Sequence, residues 1–324
     1  MSLDSNLDVS HSKATNRMEN VQFVEKKQNA KSILVNNIEF ILVSMNFFLY
    51  NDIKVMLMAK KTKTVYKIKW KNLFLIVLLG FTVLFLILTG TKILRDYLGT
   101  KEMIDKVKEE IEVKNIVDDE LTKTIKPDST LSKFDAYWNY VKLGLIEVDM
   151  AKLKKINTDC IGYIELKGTS FSYPIVKGEN SFYQKHTLDK SENSFGWIYM
   201  DEDELGTNTI IYSNKNYLGV LSSDLKDVLK DEWKNDDNNY IIKLYTRTQS
   251  TIWQIVSVYE TKDKDHLQTT FEDDSDIEKY IDSMLKNTQI KFKGYAKTDD
   301  KFLTLTTNSK GTNLVIQAKL IKIR

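Results

Sequence analysis

Hydrophobic positions change their period along this chain. From Leu73 to Thr91 the run LFLIVLLGFTVLFLILTGT holds nineteen residues without a charge, apolar on every side of a helix and long enough to cross the hydrocarbon core of a bilayer. From Thr130 to Ile156 the positions Leu131, Phe134, Tyr137, Trp138 and Val141 keep three and four spacing, which predicts a pair of helices. From Gly162 onward the signal becomes short β runs: GYIEL, FSYPIV, GWIYM, NTIIYS, NYIIKLY, TIWQIVSVYE, KFLTLTT and NLVIQAKLIKI. Two helical stretches interrupt them, one marked by Leu218, Leu221, Leu225, Val228 and Leu229. The other starts near a Ser275 cap and carries Ile277, Tyr280, Ile281, Met284 and Leu285. The expected fold class is therefore mostly β with helices: an eight-stranded, closed or nearly closed barrel preceded by N-terminal helices and one transmembrane helix.

Charge sets the expected orientation. Lys60, Lys61, Lys63, Lys67, Lys69 and Lys71 precede the apolar run, whereas Asp96, Glu102 and Asp105 follow it, so the N-terminus is expected in the cytoplasm. Lys92-Ile93-Leu94-Arg95 stands where a signal peptide would have small residues for cleavage, so the run reads as an uncleaved anchor. The domain plan is an N-terminal extension over 1–58 that fits poorly with the rest, a basic cytoplasmic tail over 59–72, and a transmembrane helix over 73–91. A charged, solvated stalk over 92–129 and an extracytoplasmic domain over 130–324 complete it. Met56 and Met58 stand immediately before the lysine cluster, and a start at either would leave a complete type II signal-anchor.

Composition mostly excludes. A net charge of +2 gives no argument for a nucleic-acid partner. The single cysteine, Cys160, rules out an internal disulfide and a multi-cysteine metal site. Three dispersed histidines have no metal-ligand spacing, and no glycine loop is built to cradle phosphate, so neither metal nor cofactor is expected.

The segment LKKINTDCIGYIELKGTSFSYPIVKGENSFYQKH resembles the opening of the class B sortases, cysteine transpeptidases of Gram-positive bacteria that attach proteins to the cell wall. It is similar to that family's Asn-x-Asp-x-x-Gly-Trp start and Tyr-Pro-Ile/Val-Val strand. The helix at Ser275 to Leu285, between the sixth and seventh strands, looks like the class B hallmark, and LVIQAKLIKI looks like the last strand. The resemblance covers Leu153 to Arg324. It implies a sortase-type barrel, a cell-membrane location with the barrel outside, and a sorting-signal peptide or surface protein as partner. It also implies a catalytic His, Cys and Arg, and there the sequence departs. The family's Ile-Tyr-Gly-His-Asn is Ile211-Tyr212-Ser213-Asn214-Lys215, its Thr-Leu-x-Thr-Cys is Thr304-Leu305-Thr306-Thr307-Asn308, and Asn313 stands where an Arg opens the last strand. The loop between the last two strands is also short, Ser309 to Thr312.

Acyl transfer needs a nucleophile, a group that moves protons and a donor for the oxyanion. An Asn amide can donate hydrogen bonds but is neither nucleophile nor proton carrier near neutral pH. No catalytic residue is thus intact, and Asn214, Thr306, Thr307, Asn308 and Asn313 are expected to bind peptide rather than cut it. Cys160 reads as a small buried hydrophobe at the entrance to the first strand. His186 reads as structural, His266 as a solvated histidine in a charged loop, and Ser309 and Thr307 as loop and strand hydrogen-bonding groups. Two functions compete: an inactive pseudo-sortase that binds peptides or a partner, and an active class B sortase with an unconventional nucleophile. Loss of all three groups also fits a gene product without a selected function.

Overall fold

One helix, α1 (Trp70–Glu110), carries the chain from the apolar run into the charged segment without a break. It opens the computed structural model, which describes residues 70–117, 137–178, 182–202, 204–214, 220–290, 295–308 and 311–324. The expected N-terminal extension, residues 59–69 of the basic tail, the later part of the stalk, and Leu131, Phe134, Leu218 and Ser309 lie outside the described residues. Leu75, Phe81, Phe85 and Leu88 of α1 are exposed, and α1 is the one helix among the described residues long and apolar enough to cross a membrane.

The second half of α1 corrects the expected solvated stalk. Asp96, Thr100, Met103, Ile104 and Val107 are buried. Their steps of four, three, one and three residues draw one stripe on the helix, which packs into the same core as the barrel. Charged residues crowd the opposite face, which is why the segment reads as wet. Leu84–Arg324 forms a single structural unit containing this stripe and the barrel.

The helix pair expected over Thr130–Ile156 is also corrected. Its described part is a short helix α2 (Tyr137–Tyr140), a strand β2 (Leu145–Val148) and a helix α3 (Met150–Ile156). Strand β2 pairs antiparallel with β1 (Val113–Ile116), from Val113 opposite Val148 to Ile116 opposite Leu145. Leu145, Ile146 and Val148 are buried. At the N-terminus of α3, the Asp149 carboxylate accepts from the backbone N–H groups of Ala151 and Lys152.

Eight strands close the barrel: β3 (Cys160–Leu166), β4 (Ser172–Lys177), β5 (Tyr199–Met200), β6 (Asn208–Asn214), β7 (Ile241–Thr246), β8 (Ser250–Thr261), β9 (Phe302–Asn308) and β10 (Asn313–Ile323). Each falls within or across one of the eight runs read from the sequence. Around the barrel the order is β10-β8-β7-β3-β4-β5-β6-β9. The pairs β4/β5 and β6/β9 are parallel and the others antiparallel. Parallel neighbours need long crossovers. Between β6 and β9 the crossover holds α4 (Val220–Lys226), α5 (Asp231–Lys234), β7, β8 and α6 (Asp274–Asn287). These strand directions put the start of β3 at one rim. The ends of β6 and β9 and the start of β10 lie at the other.

Strand β8 is buried along its first ten residues because both of its faces are covered. One face fills the barrel, and the other meets α6, where Val256 and Phe302 pack with Tyr280, Ile281 and Met284. Helix α6 is capped by Asp273, whose carboxylate accepts from the N–H of Asp276, and not by Ser275, which lies inside the first turn. At Gly162 an added Cβ would meet the Tyr245 carbonyl oxygen at 2.5 Å, so β3 and β7 approach too closely there for any other residue.

Candidate functional site

Two parallel strands bring the first two site positions together. In the β6/β9 register Ser213 is opposite Thr307 and Asn214 opposite Asn308, each pair at the last residues of its strand. Strand β10 returns beside β9 with Val315 opposite Thr306, and Asn313 is its first residue. The three asparagines therefore come to one rim although they span a hundred residues of sequence. Asn313 is buried and its Oδ1 has no hydrogen-bond partner, and the buried Ser213 hydroxyl has none either.

Thr306 and Thr307 tie β9 to β10 at this rim. The Leu314 N–H donates to Thr307 Oγ1 at 2.9 Å, and Thr306 Oγ1 donates to the Leu314 carbonyl at 3.1 Å. Thr306 Oγ1 also lies 3.3 Å from His266 Nε2. His266 is therefore not the solvated residue expected. It is buried at 3 % exposure, despite its neighbours Asp263, Lys264 and Asp265. Burial lowers its pKa, against the opposing effects of the Asp265 charge and the Asp263 backbone, so the ring is held neutral at pH 7.

Behind His266 runs a line of buried polar groups that sequence reasoning missed. Asn208 Nδ2 donates to the Gln268 carbonyl at 2.8 Å, and Thr304 Oγ1 donates to Asn208 Oδ1 at 2.9 Å. The Tyr280 hydroxyl lies 3.1 Å from Thr304 Oγ1 and accepts from Gln317 Nε2 at 2.6 Å. Burial pushes the Tyr280 phenol up to about 12, so it stays protonated as a donor. The network ties α6 to β6, β9 and β10 and fixes the segment that carries His266 against the site strands. Its only trace in the sequence was the alternation of Thr304 and Thr306 with Leu303 and Leu305, which marks one face of β9 as polar.

The other candidates lie elsewhere. Cys160 is fully buried at the start of β3, at the opposite rim, and burial with the adjacent Asp159 charge pushes its thiol up to about 12. A thiol so held is not a nucleophile. His186 stacks on Phe182 at 3.7 Å, and its Nδ1 lies 2.8 Å from the Phe182 carbonyl. Among the described residues no cluster of His, Cys, Asp and Glu could hold a metal ion.

Sequence comparison identifies the lineage of this barrel. The chain is 30% identical over 184 residues to sortase B of Staphylococcus aureus, which spans 53% of this chain and 74% of that protein. The chain belongs to the sortase B family. Sortase B of Listeria monocytogenes is 26% identical over 195 residues, covering 55% of this chain and 76% of its own length. A solved structure of a Staphylococcus aureus sortase B–substrate complex is similar to this chain at a TM-score of 0.49 and 29% identity, over 53% of this chain and 84% of that one. No family model matches the chain.

Proposed function

We propose that this chain is a membrane-anchored surface protein of the sortase B family that binds a sorting-signal-type peptide, or a surface protein bearing one, without cleaving it. The pairing of Asn214 with Asn308 at the ends of β6 and β9, with Asn313 opening β10, is the observation that carries this reading. Where the resemblance implies His, Cys and Arg, the chain offers three amides, which can hydrogen-bond an extended peptide but cannot attack it or carry its proton. The unpartnered Asn313 Oδ1 and Ser213 Oγ support a bound ligand at this rim, because buried polar atoms are rarely left without partners. The apolar half of α1 serves as the anchor, and the lysines before it favour a cytoplasmic N-terminus with the barrel outside.

One contact favours the alternative, an active enzyme with a displaced nucleophile: the Thr306 hydroxyl beside His266. Against it, Thr306 is buried and already donates to the Leu314 carbonyl, and His266 Nδ1 has no partner to orient the ring as a base. Titration of the full chain in detergent with Asn-Pro-x-Thr and Leu-Pro-x-Thr peptides tests binding. Saturable heat with at least one peptide, weakened about tenfold in Asn313→Ala, is expected. No binding of either peptide would overturn the reading.

A further inference from the structure

A second constellation lies where α1 leaves its apolar run. Asp96, five residues beyond Thr91, is only 3 % exposed. Its carboxylate accepts from the Ser194 N–H at 3.1 Å and the Ser194 hydroxyl at 2.8 Å, and its carbonyl accepts from Asn193 Nδ2 at 2.8 Å. Next to it the Tyr97 and Phe195 rings meet edge-on at 6.4 Å. One turn earlier, Lys92 pairs with Glu192 at 3.5 Å. A buried carboxylate is costly unless hydrogen bonds compensate it, so this joint is built and specific.

The partner of the joint is a small hairpin, His186 to Glu192, closed by a bridge between those two residues. Thr187 N–H donates to the Ser191 carbonyl at 3.0 Å, Lys190 N–H to the Thr187 carbonyl at 2.9 Å, and Ser191 N–H to Asp189 Oδ1 at 3.1 Å. Lys190 has φ 67°, the one positive-φ non-glycine residue among the described residues. Such a conformation persists only where the surroundings enforce it. Lys190 Nζ reaches Asp159 Oδ2 at 2.8 Å, which fastens the hairpin to the rim where β3 starts. Lys185, Asp189, Lys190, Ser191 and Glu192 are all exposed.

We propose that this hairpin is a lipid-facing foot: the Asp96 joint locks the barrel to the outgoing end of the anchor, so that His186–Glu192 rests among phospholipid headgroups. The proposal rests on α1 being the anchor. Nineteen uncharged residues span about 28 Å as a helix, close to the roughly 30 Å hydrocarbon thickness, so Lys92 must sit at the headgroup level. Glu192, 3.5 Å from Lys92, shares that level. The helix then runs on to Lys108; burial raises the Asp224 carboxyl above its ordinary range, and the Tyr173 hydrogen bond and the Lys108 charge offset that only in part. Asp224 accepts from Tyr173 near the start of β4, at the rim of the three asparagines. The twelve residues from Asp96 to Lys108 rise about 18 Å, which holds the asparagine rim away from the lipid.

The test uses the full chain in phosphatidylcholine and phosphatidylglycerol vesicles containing headgroup spin-labelled lipid. Glu192→Cys and Glu232→Cys each carry a fluorophore, and the unsubstituted chain with its buried Cys160 is the labelling blank. Glu232 is exposed on α5, whose Trp233 indole donates to the Lys167 carbonyl just past the end of β3. Quenching at position 192 at least twofold greater than at 232 is expected. Asp96→Ala should erase the difference, and the milder Ser194→Ala should reduce it while leaving the melting temperature close to native. Equal quenching at both positions in chains that float with the vesicles would overturn the foot. Failure to float would overturn the anchor, and the foot with it.

Discussion

At the rim where β3 starts, the buried Asn157 amide donates to the Tyr183 hydroxyl at 2.7 Å and to the Leu188 carbonyl at 2.6 Å, and that hydroxyl donates to Asp159 at 2.6 Å. Lys190 completes the set from the hairpin. At the rim where β6 and β9 end, the buried oxygens of Ser213 and Asn313 have no partner, and neither has Nδ1 of His266 nearby. Among the described residues, polar side chains are thus paired with one another at the first rim, while these atoms at the second are not. Buried polar groups cost little when paired and much when orphaned, so among the described residues the two rims differ in how their polar atoms are satisfied.

The harshest way to break this comparison removes β10, which runs between the rims and pairs with both β8 and β9. A chain ending at Thr312 should lose cooperative unfolding altogether, because two strands gain open edges and the core is exposed. Near-UV circular dichroism against temperature reads this directly. Gly162→Ala tests the closed rim: its Cβ would press on the Tyr245 backbone, with an expected cost of about 1–3 kcal/mol in urea unfolding. Peptide affinity of the folded fraction should be unchanged, since Gly162 is at the far end of the barrel.

Most of the barrel was legible because each strand alternates or is buried on both faces, and both patterns leave a local trace. The TIWQIVSVYE run was legible as a strand, and the structure adds that both of its faces are covered. Strand β2 was not legible, because Leu145, Ile146 and Val148 are too few to set a period and its partner β1 lies in a charged stretch, VKNI. The three asparagine positions could be named from strand-end motifs, yet only the parallel β6/β9 register brings two of them together. The burial of His266 had no local signal, because KDKDH is a surface sequence by composition and the ring is drawn in by Thr306, forty residues away. The docking of α1 was hidden in the same way, as its buried stripe includes an aspartate and a threonine.

Two further effects bear on the contrast at the asparagine rim. Tyr280→Phe removes the acceptor of Gln317 and the partner of Thr304, both buried, and should cost about 1–3 kcal/mol in urea unfolding with a barrel that otherwise folds normally. The pH effect is smaller still. Burial holds His266 below its ordinary value of 6.5, so as pH falls through that value the unfolded chain takes up the proton first. Its contribution to stability is therefore fully present above that pH and is lost as the solution is acidified toward the folded-state value. His266→Gln should flatten the dependence of the melting temperature on pH between about 7 and 5.

On the proposed reading the three amides count as one lesion, because members of a catalytic unit are not additive. Mass spectrometry of a sorting-signal peptide, incubated with the native full chain and with the triple variant Asn214→His, Asn308→Cys, Asn313→Arg, tests this most directly. The expected result is an intact peptide with the native chain and with Asn308→Cys alone, and cleaved peptide with the triple variant. Cleaved peptide or an acyl adduct on the native chain would contradict it.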